Sequence, residues 1–246
     1  MKSKGIHRWV ATALVLTASL GLGGCATTQQ PDPLEKVNRV TYAFNDTVDT
    51  YALEPVARTY RDAVPSMIRQ GVTNFFNHLR DAWSVPNQLL QGKPSLAVAD
   101  FMRFSINTVF GLGVLDWAGE MGLEPHHEDF GQTLGRWGVD SGAYLVLPLF
   151  GPSTLRDTAA LPLDAQATTE TLIDDPAVRN SATALRIVNT RADLLKASGM
   201  LDDIALDKYL FVRDAYLQRR RSLVYDGNPP ELPEPVEPSA SAPAKP

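Results

Sequence analysis

Asp32-Pro33-Leu34-Glu35-Lys36-Val37-Asn38-Arg39-Val40-Thr41-Tyr42-Ala43-Phe44-Asn45-Asp46-Thr47-Val48-Asp49-Thr50-Tyr51 is the stretch from which the architecture can be read. Asp32, Pro33 and Glu35 stand in the order of a capping box: an N-cap acceptor, a proline at the first helical position and a glutamate at the third. Behind them Leu34, Val37, Val40, Thr41, Phe44, Val48 and Tyr51 recur at spacings of three and four, one face of an amphipathic helix.

The same period recurs along the chain. Ile68, Val72, Phe75, Phe76, Leu79 and Trp83 predict a second helix, and Leu96, Ala99, Phe101, Met102, Phe104 and Phe110 a third, beginning after Ser95. Leu185, Val188, Ala192 and Leu195 lead to Gly199, a suitable C-terminal stop. Leu206, Tyr209, Leu210, Tyr216, Leu217 and Leu223 predict a last helix with Arg219, Arg220 and Arg221 in its later turns, read as a solvated face, with a lipid-headgroup contact as the alternative. Strand-like alternation is scarce. The chain reads as all-α with at most a small hairpin, and the phenylalanines on its helix faces read as core. Arg103 and Asn107, polar groups on a largely apolar helix, either pair internally or face a wet channel.

The middle breaks the pattern. Residues 111 to 151 hold nine of the chain's 17 glycines and enclose Tyr144-Leu145-Val146-Leu147-Pro148-Leu149-Phe150-Gly151-Pro152. This apolar run is far shorter than the roughly 20 residues that a spanning helix needs. It is either a buried connector or a loop or short hairpin that dips into lipid or lines a cavity. Irregular backbone is tolerated at membrane depth only where protein or water satisfies its polar groups.

The ends carry signals of another kind. Lys2, Lys4 and Arg8 precede an apolar run from Trp9 to Leu22, and Leu22-Gly23-Gly24-Cys25 closes it as a bacterial lipoprotein signal closes. Residues 1–24 are therefore expected to be removed, leaving Cys25 with an S-diacylglycerol and an N-acyl chain. Residues 25–31 are then the acylated N-terminus and tether, 32–225 the helical domain, and 226–246 a disordered tail, proline-rich from Pro229 on. Ala26 follows the cysteine, so the default address is the outer membrane, facing the periplasm. Loss of residues 1–24 removes three cations and takes the formal net charge from −5 to −8. An acidic chain is a poor ligand for nucleic acid, whose phosphates require clustered Lys and Arg. Any membrane contact must then be apolar or covalent. The one cysteine is committed to lipid and leaves no disulfide framework.

His126-His127-Glu128-Asp129 lacks the i, i+4 spacing that would put two histidines on one helix face, and no metal site is expected. No G-x-S-x-G elbow, Walker pattern or dinucleotide fingerprint is present. No enzymatic activity and no cofactor beyond the lipid on Cys25 are expected.

Several blocks, in order, resemble one family. They are Asp32-Pro33-Leu34-Glu35 with Asn38-Arg39 and Phe44-Asn45; Asn74-Phe75 with Asn87 and Leu90-Gln91-Gly92; Arg103-Phe104 with Asn107-Thr108, Gly111 and Gly113. Then follow Phe130-Gly131-Gln132-Thr133-Leu134-Gly135, Trp137-Gly138-Val139, Tyr144 to Pro148, Gly151-Pro152 and Arg156-Asp157. Arg213-Asp214-Ala215-Tyr216 with Gln218-Arg219-Arg220 completes the set. Behind a lipobox, this order is similar to that of the MlaA (VacJ) outer-membrane lipoprotein family.

The resemblance implies a ring-like arrangement of amphipathic helices in the inner leaflet of the outer membrane. It implies an amphipathic channel that removes mislocalised phospholipid from the outer leaflet, maintaining lipid asymmetry. The lipid passes to a soluble periplasmic carrier, and a trimeric porin is an associated partner. It also implies that the glycine-rich segment with Gly131, Gly138, Leu145, Leu147, Leu149 and Phe150 borders the channel, and that Phe44 and Asn45 help hold its state. The alternative is a structural lipoprotein that tethers a helical domain to the outer membrane or to a porin.

Overall fold

The structure is a computed structural model that describes residues 32–166 and 173–231. Cys25, the signal segment, the tether and most of the proline-rich tail lie outside the described residues.

The first helical rod runs without interruption through α1 (Glu35–Val48), a π-helical turn (Asp49–Leu53) and α2 (Glu54–Ala63). The predicted capping box is not formed. Leu34 occupies the N-cap position and offers no side-chain cap. Asp32 instead accepts from Asn38 Nδ2 at 2.8 Å and from the Tyr209 hydroxyl, so long-range partners outcompete the local bond.

Two antiparallel neighbours follow, α3 (Ser66–Leu90) and α4 (Pro94–Val109), then a short α5 (Trp117–Glu120) and α6 (Phe130–Arg136). The glycine-rich middle ends in a hairpin of β1 (Tyr144–Leu147) and β2 (Gly151–Thr154), with Leu147 opposite Gly151 across the turn. Helices α7 (Leu155–Gln166), α8 (Pro176–Ile204) and α9 (Lys208–Val224) complete the described chain. Gly199 is not a stop. Helix α8 continues through it to Ile204, because one interior glycine costs only about 1 kcal/mol and flanking turns carry the helix on.

Contacts between elements close on themselves. The first rod packs on α8, α8 on α3, α3 on α6, α6 on α9, and α9 on β2; β1 then returns to α1. The helices are thus arranged as a ring, with the hairpin as the segment that joins its last part to its first.

What the ring puts inside is the reverse of an aqueous globule. Among the described residues, eleven buried hydrophobic side chains, six of them alanine, stand against eighteen buried polar or charged ones. Asp81, Ser84, Gln88, Asp100 and Thr133 are fully enclosed. Meanwhile Val40, Phe44, Tyr51, Phe101, Phe110 and Phe150 point outward, Phe150 with 80% of its surface exposed. The first helix shows the inversion plainly. Its apolar face is the exposed one, and Asn38 is its buried residue. The expectation that these phenylalanines form a core is therefore corrected for Phe44, Phe101 and Phe110. Among the described residues, buried apolar side chains pack in two small clusters, one of Ala57, Ala192 and Leu195, the other of Tyr144, Val146 and Tyr209.

A cavity beneath the hairpin as candidate functional site

Polar networks replace the missing core, and one of them lies under the glycine-rich segment. Along α3, Asp81, Ser84, Asn87, Gln88 and Gln91 form a buried polar stripe. Arg103 reaches from α4 to Asp81 at 3.3 Å and to Asp116 at 3.1 Å. Asn107 donates to the same Asp116 carboxylate at 2.9 Å and accepts from the Ala118 amide at 2.9 Å. Of the two readings left open for Arg103 and Asn107, internal pairing is the one realised.

The His126-His127-Glu128-Asp129 run disperses. His126 lies 3.3 Å from Asp100, His127 lies 3.5 Å from Asp81, Glu128 meets Lys93 at 3.1 Å, and Asp129 pairs with Arg220. Among the described residues no group of three or more His, Cys, Asp or Glu side chains is gathered as a metal site.

Between α6, the hairpin, α7 and α9 lies a cavity of about 160 Å³. It is lined by the polar Asp129, Asp157, Asp164, Tyr216 and Arg220 together with the apolar Leu147, Phe150, Pro152 and Leu161. Arg220 is the hub. Its Nη1 and Nη2 donate to the two Asp129 oxygens at 2.6 and 3.0 Å, and Nη2 also donates to Asp157 Oδ1 at 2.9 Å. The Tyr216 hydroxyl donates to Asp157 Oδ2 at 2.9 Å.

Burial alone would raise the carboxyls of Asp129 and Asp157, but the guanidinium of Arg220 outweighs it and holds both below the usual range. Burial, with the Asp157 charge beside it, pushes the Tyr216 phenol up. All these groups keep their ordinary charges near neutral pH, and the floor is a fixed ionic surface.

Gly131 is what lets the cluster close. A Cβ there would stand 2.7 Å from Asp157 Oδ1 and 2.8 Å from Arg220 Nη2. Gly138 has another reason to be glycine. It ends the turn after α6 with φ +90°, in open space.

The predicted site residues fall into three groups. Gly131, Leu147 and Phe150 line the cavity together. Asn45 stands behind it and clamps the hairpin turn, donating to the Leu147 carbonyl at 2.9 Å and accepting from the Leu149 amide at 2.8 Å. Phe44, Gly138, Leu145 and Leu149 do not line the cavity; Phe44 and Leu149 face outward.

The ionic floor is not legible in the sequence, and Arg220 is corrected from a solvated position to a partly buried hub. Tyr216 and Arg220 at i, i+4 share one helix face, and that spacing was the available signal.

Polar groups enclosed and apolar groups outward, around a cavity of mixed lining, define a helical protein suited to apolar surroundings. Among the described residues no helix is long and apolar enough to cross a membrane. The chain belongs to the MlaA lipoprotein family, whose model matches residues 30–223.

Named relatives agree along nearly the full length. The intermembrane phospholipid transport system lipoprotein MlaA of Shigella flexneri is 38% identical over 96% of this chain and 94% of its own. Its counterpart in Escherichia coli K12 is 37% identical over the same shares, and that of Haemophilus influenzae is 34% identical over 92% and 93%. A solved chain, described under the structural basis for maintenance of bacterial outer membrane lipid asymmetry, superposes with a TM-score of 0.69. It is 36% identical and covers 78% of this chain and 98% of that one.

Proposed function

We propose that this chain withdraws mislocalised phospholipid from the outer leaflet of the outer membrane and passes it toward the periplasm, where a soluble lipid carrier receives it. In this reading it is a conduit and not an enzyme, and its work preserves lipid asymmetry. The observation that carries the reading is the inversion of the fold, since an apolar exterior is stable in lipid and costly in water. Burial is worth about 0.8 kcal/mol per CH₂, so a two-chain phospholipid is held in the bilayer by on the order of 20 kcal/mol. A route between membranes must therefore keep acyl chains against apolar walls and give the headgroup a polar track.

The cavity beneath the hairpin has both. Leu147, Phe150 and Leu161 supply apolar lining, and the Asp129–Arg220–Asp157 cluster supplies the track. Because Arg220 is already paired with two carboxylates, a passing phosphate meets no bare guanidinium to trap it. Lipid on Cys25 delivers the body to the inner leaflet of the outer membrane, and a trimeric porin beside it is part of the same reading.

The test is Leu147→Asp in the bacterium that encodes the chain, with exposed phosphatidylethanolamine labelled by an impermeant amine reagent. Surface phospholipid is expected to rise to the level seen on loss of the gene, at unchanged protein abundance. Normal abundance with normal surface lipid would remove the hairpin from the passage.

A further inference from the structure

The first rod carries two contact faces that an unbroken α-helix would not align. In α1 the buried residue is Asn38, which with Asn45 grips the hairpin; in α2 it is Ala57, which packs with Ala192 and Leu195 of α8. Tyr60 adds a hydroxyl bond to Asn189 Oδ1 of α8 at 2.8 Å. Asn38 and Ala57 are nineteen positions apart, which at 3.6 residues per turn leaves them about 100° out of phase. Asn45 and Ala57, twelve apart, are out by about 120°.

The π-helical turn between them corrects the phase. The Glu54 amide bonds to the Asp49 carbonyl, five residues back instead of four, so the turn takes up one extra residue. Counted without that residue, Asn38 and Ala57 are about five whole turns apart, and Asn45 and Ala57 differ by about 20°. One continuous rod can then serve the hairpin and α8 together.

Two features hold the extra residue in place. Pro55 has no N–H to donate and its ring crowds the carbonyl four residues back, so regular α-helical bonding is disfavoured there. Arg191, from α8, spans the turn. Its Nε donates to the two Asp49 oxygens at 2.8 and 3.0 Å, and Nη2 donates to Asp49 Oδ2 at 2.8 Å and to Glu54 Oε2 at 3.3 Å. Asp49 opens the turn and Glu54 is the first residue beyond it. The Arg191 side chain is only 12% exposed, so this is a shielded fork and not a surface pair that solvent screens.

We infer that Arg191 is a positioning residue for the hairpin: stapling both ends of the π-helical turn, it keeps α1 in the register in which Asn38 and Asn45 reach their partners. Relaxation of the turn to α-helix would rotate α1 by about 100° against α2 and take both asparagines off the hairpin. The hairpin supplies Leu147 and Phe150 to the cavity, so under the transport reading Arg191 shapes the passage without lining it.

The Val146 and Leu149 amides report on the joint, since their acceptors are the Asn38 and Asn45 side chains. Their hydrogen exchange is followed by NMR in the full-length lipidated chain in maltoside detergent. The Ala118 amide, bonded to Asn107 Oδ1, is a reference of the same kind outside the joint. Arg191→Leu is expected to speed exchange at Val146 and Leu149 about tenfold and to leave Ala118 unchanged, the loss that one charged hydrogen-bonding group accounts for. Arg191→Lys, a point charge that cannot fork across both carboxylates, should give a smaller change in the same direction, and it carries the test if the leucine variant does not fold. Deleting Thr50 in a Pro55→Ala background makes the rod a plain α-helix already in phase, and there Arg191→Leu should leave both amides unchanged.

Wild-type exchange at Val146 and Leu149 in the Arg191 variants overturns the assignment. An equal rise at Ala118 overturns it too, because Arg191 would then only stabilise the whole fold. So does an undiminished effect of Arg191→Leu in the shortened rod. Exchange records no lipid movement, and the transport reading is judged separately by surface lipid in Leu147→Asp.

Discussion

The buried side chain of Asn38 donates from Nδ2 to the Tyr144 carbonyl at 2.9 Å and accepts at Oδ1 from the Val146 amide at 2.9 Å. Asn45, two helical turns on, repeats the pair with Leu147 and Leu149. A helix thereby docks on a strand edge as if it were another strand, its asparagine amides standing in for peptide groups. These four bonds fasten the hairpin to α1 at the closing segment of the ring.

Removing either asparagine should loosen that joint, but unequally. Asn38→Ala strands a carbonyl and an amide in a dry site and is expected to cost about 3 kcal/mol; Asn45→Ala, half-buried near the turn, about 1 kcal/mol. Thermal unfolding in detergent gives the order. Equal midpoints for the two variants would show that the joint is not where stability resides.

Gly131→Ala and Gly138→Ala should fail for different reasons. The first pushes a methyl into Asp157 and Arg220; the second meets nothing but must hold φ +90°, at about 1 kcal/mol. Paired with Asp157→Asn, Gly131→Ala is expected to be non-additive and Gly138→Ala additive. A double-mutant cycle on unfolding free energies distinguishes them, and additivity in both would separate Gly131 from the ionic cluster.

Asp81 and His127 titrate in one pH window with opposite sign. Burial pushes the Asp81 carboxyl up to about 6 and the His127 imidazole down to about 4. A raised acid stabilises the fold at low pH, and that contribution is lost as pH climbs from about 4 through 6. A depressed imidazole stabilises above its ordinary 6.5, and that contribution is lost as pH falls toward 4. In the wild-type chain the two oppose each other. Relative to wild type, Asp81→Asn should make stability fall more steeply on acidification from pH 6.5 to 4, and His127→Gln should make it fall less or rise. Parallel pH profiles for the three proteins would show that the pair is not coupled to folding.

Anchoring by lipid and embedding by the body can be separated. Cys25→Ala, exported through an ordinary signal peptide, is expected to sediment with membranes and to need detergent, because the exposed faces of α1 and α4 are apolar. A soluble monomer in plain buffer would sink the embedded arrangement.

Much of the helical content was legible. The period of three and four found α1, α3, α4, α8 and α9, since faces repeat wherever a helix has two environments, but it began α8 nine residues late, at Leu185, and ended α3 seven early, at Trp83. Asp32 and Gly199 misled because each was read from its immediate neighbours; the first is held by Tyr209, 177 residues away, and the second lies inside a helix. Of the proposed site residues, Gly131, Leu147 and Phe150 were reachable through the glycine-rich, apolar segment. Asp164 was not, for nothing around an isolated aspartate in Leu163-Asp164-Ala165 marks the cavity it faces.

By itself the sequence determined that the chain is helical, that its helices are two-faced, and that it matches one family's order of motifs. Periodicity is silent about which face meets which surroundings, since a stripe inward and a stripe outward have the same spacing. Only the tertiary structure decided that Val37, Val40 and Phe44 look out while Asn38 looks in. The physical reason is that Asn38 finds backbone partners on β1, and those bonds form only once the ring has brought the two segments together.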